Sequence, residues 1–70
     1  MSDTLRQRIF EPDNRVRVIG PVAERYLSKI GVIRDLYNSG GVYRYIVEFE
    51  DGVSDTFFGF ELKMVEPPVA

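Results

Sequence analysis

The chain has 70 residues, with nine Lys or Arg, eleven Asp or Glu, and neither His nor Cys, for a formal charge of −2. That excludes a disulfide staple, a thiolate or imidazole zinc site, and the usual general base at neutral pH. The charge balance gives no global attraction to nucleic acid or to an anionic membrane surface. One small domain must therefore be held by packing, for which 44% hydrophobic residues, five Phe and four Tyr supply the bulk.

The N-terminal stretch Met1-Ser2-Asp3-Thr4-Leu5-Arg6 lacks the apolar core of a signal peptide. No apolar run approaches the ~18–20 residues of a membrane span, so a cytoplasmic monomer without membrane insertion is expected. Residues 1–14 read as a flexible polar arm closed by the turn cluster Pro12-Asp13-Asn14. Ile9 and Phe10 are its notable apolar pair, either packing back on the domain, the favoured reading, or forming a docking peptide.

Arg15-Val16-Arg17-Val18-Ile19 alternates as a strand with its valines inward, and Gly20-Pro21 ends it. Residues 22–29 form the longest excursion, in which Ala23-Glu24-Arg25-Tyr26-Leu27 has room for one helical turn. A second strand covers residues 30–37. Its expected inward residues Ile33 and Leu36 are three apart, which strict alternation forbids and a β-bulge near Arg34-Asp35 would permit. Asn38-Ser39-Gly40-Gly41 is a loop. Residues 42–50 make the central strand, where Tyr45, Val47 and Phe49 alternate with Arg44, Ile46, Glu48 and Glu50. Asp51-Gly52 suits a tight hairpin turn, and Val53, Asp55 and Phe57 share one face of the strand that returns. A short 3₁₀ turn at residues 58–62 and a last strand, Lys63-Met64-Val65, complete the domain before Pro67-Pro68.

This order predicts an all-β fold, a five-stranded SH3-like barrel over residues 15–66, with a one-turn 3₁₀ helix before the last strand and flexible termini, including a tail at 67–70. The expected inward set is Val16, Val18, Ile30, Ile33, Leu36, Tyr45, Val47, Phe49, Phe57, Leu62 and Val65.

Two segments carry a closer likeness. Lys29-Ile30-Gly31-Val32-Ile33 resembles the basic-x-Gly-x-apolar core of the KOW motif of ribosomal and transcription-elongation proteins. Val16-Arg17-Val18-Ile19, Glu24-Arg25-Tyr26, Ile30-Gly31-Val32-Ile33, residues 43–50, and Glu61-Leu62 through Val65 are similar, in that order, to the peripheral subunit IV of photosystem I. The resemblance implies a shared barrel and, in that family, docking on membrane-embedded partners and help in binding a soluble electron carrier. Arg44 stands where that family has a proline and Glu48 where it has an arginine, so the shared barrel is carried over here and the photosystem role is not.

No catalytic constellation is present, and no cofactor is expected. Ser2, Ser28, Ser39 and Ser54 have no histidine to activate them, only Lys29 or Lys63. Glu48, Glu50, Asp51 and Asp55 cluster at the hairpin, but their count and spacing fit a solvated strand face better than a metal loop. Gly40-Gly41 lacks the Lys-Ser/Thr and helix of a phosphate loop.

Two surface readings remain. Some of Tyr26, Tyr37, Tyr43, Phe57, Phe58 and Phe60 must be exposed, since a small barrel cannot enclose them all, and exposed aromatics tend to mark binding sites. The favoured function is a non-catalytic module that binds a protein partner through Tyr26, Tyr37, Tyr43 and Phe58 with Arg25 at the rim, either alone or as an accessory subunit of a larger complex. The alternative is KOW-like binding of RNA, or another ribosome- or transcription-associated role, through Arg15, Arg17, Lys29, Arg34 and Arg44. Cross-strand pairing of those cations with Asp35, Glu48 and Glu50 is the structural reading of the same residues.

Overall fold

A computed structural model describes residues 8–27 and 29–65. Strands β1 (Arg15–Val18), β2 (Ile30–Ser39), β3 (Val42–Phe49), β4 (Ser54–Phe58) and β5 (Leu62–Met64) follow one another with 3₁₀ turns at Ala23–Tyr26 and Gly59–Glu61. They form one antiparallel sheet in the order β4-β3-β2-β1-β5. This is the expected all-β, SH3-like barrel. Among the described residues no helix is long and apolar enough to cross a membrane.

Turn chemistry sets the strand lengths. β2 runs on to Ser39 because Asn38 and Ser39 pair with Tyr43 and Val42. Only Gly40-Gly41 is left to turn the chain, at φ +62° and +85°, the left-handed pair that a two-residue type I′ turn needs. The second hairpin closes less tightly than Asp51-Gly52 alone suggests. Gly52 N donates to Phe49 O at 2.9 Å, Phe49 N donates to Val53 O at 2.9 Å, and Gly52 lies at φ +84°. That is a type I turn followed by a glycine bulge, a three-residue connection.

The core follows the period of β3, whose Tyr45, Val47 and Phe49 are buried. Val16, Val18, Ile33, Phe57 and Leu62 join them from the other strands. The β2–β3 register shifts between Ile33 and Asp35, so Ile33 and Leu36 sit opposite Val47 and Tyr45, both on the inner side, as the bulge requires. Ile30 departs from expectation. It pairs with exposed Arg17, while Gly31 pairs with buried Val16 and Phe49, so glycine takes the inner position and Ile30 the outer. A Cβ at Gly31 would stand 2.3 Å from Val47 Cγ1 and 3.0 Å from Phe49 Cδ1. Gly31→Ala is accordingly expected to destabilise the domain by about 1–3 kcal/mol through overpacking, read as a lower urea midpoint at unchanged slope. Leu36 and Val65 are half-buried rather than enclosed.

The arm contributes more than the turn cluster implies. Phe10 is 6% exposed and meets Tyr45 edge-to-face at 5.3 Å. Ile9 N donates to the Tyr45 hydroxyl at 3.1 Å. Asp13 N donates to Ile33 O at 2.8 Å and Ile33 N to Asn14 O at 2.9 Å, stitching the segment alongside β2. Ile9 and Phe10 thus take the first of their two sequence readings, since Phe10 packs back into the core. The start of the arm (1–7) and the tail (66–70) lie outside the described residues.

Candidate protein interface

β3 divides the residues proposed from sequence between its two ends. At the Phe49 end stands Tyr26. Gly20 at φ +83° reverses the chain after β1, Ala23 N donates to Gly20 O at 3.0 Å and Arg25 N to Val22 O at 3.1 Å. The resulting turn lays the Tyr26 ring on Phe49, stacked at 4.9 Å, and edge-on to Phe57 at 5.3 Å. Its hydroxyl donates to Asp55 Oδ2. That bond, reinforced by the Thr56 amide, holds the Asp55 carboxyl below its usual range, and the same bond pushes the Tyr26 phenol up. Tyr26 closes this end of the core. Arg25 is exposed, and Leu27, 71% exposed, is the most open large apolar residue described.

At the other end a cross-strand row forms on the outer face. Arg44 is paired with Tyr37 on β2 and with Phe58 on β4, so the three side chains share a face. The Arg44 guanidinium carbon lies 4.5 Å from the Phe58 ring centre, within cation–π range. Phe58 is stacked at 5.5 Å, 8° from parallel, on Phe60. Glu61 Oε1 accepts from Phe58 N at 2.9 Å and fixes the Gly59–Glu61 turn on which Phe60 stands. Phe60 is 57% exposed and Tyr37 43%, while Phe58 and Arg44 are half-buried.

Tyr43, next to Arg44, points to the opposite side and packs against the core. Phe60 did not figure in the partner set read from sequence. Its signal was the glycine between two phenylalanines. Gly59 is buried beneath Ile9, whose Cδ1 would lie 2.9 Å from a Cβ at that position, and Phe60 is left outside.

The five cations of the nucleic-acid reading are dispersed. Lys29 Nζ bonds Asp51 at 2.7 Å and Arg34 Nε bonds Glu48 at 2.8 Å, both tied to the acidic hairpin. Arg44 belongs to the aromatic row. Arg15 and Arg17 are exposed on β1, where Arg17 lies directly opposite Lys63 on β5. The hairpin acids Glu48, Asp51 and Asp55 each have their own protein partner and do not converge on one point.

The β4 edge is closed to strand addition over much of its length. Phe49–Val53 fixes the ladder so that the amides of Ser54, Thr56 and Phe58 face away from β3. Thr56 N donates to Asp55 Oδ1 at 2.8 Å and Phe58 N to Glu61 Oε1, so carboxylates occupy two of these donors. Contacts here therefore run through side chains: a flat aromatic surface with one cation beside it.

No protein-family model matches the chain, and no curated protein matches it. Among solved structures it is similar to the solution structure of the cyanobacterial cytochrome b6f complex subunit PetP, at 25% identity over 81% of each chain with a TM-score of 0.64. That similarity bears on the small β-barrel and not on the expected likeness to photosystem I subunit IV or to the KOW motif.

Proposed function

We propose that this chain is a small non-catalytic interaction module that binds a protein partner as a subunit of a larger assembly. The observation that carries the reading is the Arg44–Phe58–Phe60 row: apolar rings held open to solvent on a strand and a fixed turn. Aromatic and arginine side chains with little conformational freedom left to lose are the residues that most often dominate protein interfaces. The similarity in fold to a cytochrome b6f complex subunit supports the same reading. Tyr37 extends the row on the β2 side, and Arg25 with Leu27 offers a smaller contact at the far end of β3. Tyr26 and Tyr43 serve the core in this reading.

Affinity capture from the native host tests it. Wild-type protein is expected to recover a partner in fixed stoichiometry, and Phe60→Ser to lose it while melting within a degree or two of wild type, because Phe60 buries little. Equal recovery by both, or no stoichiometric partner, overturns the reading.

A second reading, binding of nucleic acid, has one observation of its own: Arg17 and Lys63 directly opposite each other, with no carboxylate within ion-pair distance among the described residues. It predicts binding to RNA or DNA that weakens by ~0.9 log units per phosphate contact for each tenfold rise in salt. No binding at low salt removes it.

A further inference from the structure

The reading above leaves open what kind of segment the aromatic row receives, and Arg44 narrows it. A guanidinium carries five N–H donors in a planar fork and has no acceptor of its own. Among the described residues Arg44 has neither a hydrogen-bonded acceptor nor an ion-pair partner for its side chain, and its Nε is buried without one. The Phe58 ring below it offsets only part of the loss of hydration. The other strand cation near this face, Arg34, already has its carboxylate in Glu48. Among the described residues Arg44 is thus a half-buried cation with unmet donors, set between exposed Tyr37 on one side and Phe58 on the other, with exposed Phe60 stacked in turn on Phe58.

We infer that this row binds a protein segment in which a carboxylate adjoins an aromatic or aliphatic side chain, the carboxylate on Arg44 and the apolar group against Phe60. The inference rests on the interaction-module reading and specifies its partner. A carboxylate matches the planar donor fork of arginine and forms charge-assisted bonds that a neutral carbonyl does not equal. Nucleic acid fits less well: a phosphate backbone needs a track of cations. Here Lys29 and Arg34 are bound to acids, and Arg44 is the lone cation of the row.

The test needs no knowledge of the natural partner. N-acetylphenylalanine, which carries the ring and a free carboxylate, is titrated into ¹⁵N-labelled full-length protein beside N-acetylphenylalanine amide. The acid is expected to shift the Arg44 Nε–H signal and the amides of Phe58, Gly59 and Phe60 at millimolar concentration. The amide should need about tenfold more, the difference expected for one charge-assisted contact. Arg44→Gln should erase the preference for the acid, Arg44→Lys should keep part of it, and Phe60→Ser should weaken both compounds alike.

Equal response to acid and amide overturns the inference, and so do shifts centred on Arg17 and Lys63 or no response to either compound. The acid–amide comparison in wild-type protein stands even if an Arg44 variant fails to fold. If Phe60→Ser loses the captured partner while the acid shows no advantage, the interaction reading holds and the carboxylate assignment fails. If the acid binds as expected but capture recovers nothing, the site exists and the assembly reading fails.

Discussion

Phe10→Ala is expected to lower the unfolding free energy by about 3–5 kcal/mol, the range for a large aromatic truncated inside a core. A domain of this length holds roughly 4–10 kcal/mol in total. The variant should therefore be largely unfolded at moderate urea where wild type is native. The expectation follows from position. Phe10 is 6% exposed and packs edge-to-face on Tyr45, which is itself 1% exposed and holds the Ile9 amide through its hydroxyl. Removing the ring opens a void beside Tyr45 that neighbouring strands, fixed by their ladders, fill poorly. Ile9→Ala is the control: Ile9 is 38% exposed, so its truncation should cost about 1 kcal/mol. A Phe10→Ala midpoint within error of wild type would show that the arm is an accessory to the fold and no part of it.

The contrast between Phe10 and the strands shows what the sequence could reveal. β3 announces itself because alternation over eight residues leaves one register that buries Tyr45, Val47 and Phe49 together. The bulge in β2 was legible for the same reason, since Ile33 and Leu36 share a face only if a residue is inserted between them. Phe10 lies in a polar stretch with no period, and its burial is decided by Tyr45, 35 positions later in the chain. Gly31 hid a different way. Ile30, Val32 and Ile33 are all apolar, so hydrophobicity cannot say which parity is inward. The choice falls to the one residue small enough to pass Val47.

The candidate interface was legible in kind but not in grouping. An aromatic surplus in a small barrel requires exposed rings, and Phe60, Tyr37 and half-buried Phe58 are among them. Their company depended on pairing register, which put Tyr37, Arg44 and Phe58 in one row and sent Tyr43 to the core. Tyr26 meets β3 at Phe49, five positions from Arg44, so roughly 16–17 Å of strand at ~3.3 Å per residue separates it from that row. Composition shows that aromatics are in excess, and only register shows which of them meet.

Tyr26→Ala is expected to destabilise the domain by about 2–4 kcal/mol, less than a fully enclosed aromatic because the ring is half-buried. The stacked contact with Phe49 and the edge contact with Phe57 are lost together, and the end of the core they close is opened to water. Tyr26→Phe separates the ring from its hydroxyl. It should cost below about 1 kcal/mol near neutral pH, because the bond to Asp55 lies at the surface and is screened by solvent.

That smaller loss has a pH signature. The hydroxyl bond depresses the Asp55 pKa below its ordinary 3.8, so the stability linked to it is present above that value. It disappears as pH falls through the lowered pKa and the carboxylate is protonated. The gap between wild type and Tyr26→Phe should therefore be constant from neutral pH down to about 4 and close below it, as followed by thermal melts across the acid range. On the alkaline side the raised Tyr26 pKa predicts the opposite sign. The bond persists below pH 10.0 and is lost as the phenol ionises above its raised value. A Tyr26→Ala protein that melts like wild type would overturn the lid and return Tyr26 to the partner contacts, beside Arg25 and Leu27. A pH-independent gap for Tyr26→Phe would show that the hydroxyl contributes through some partner other than Asp55.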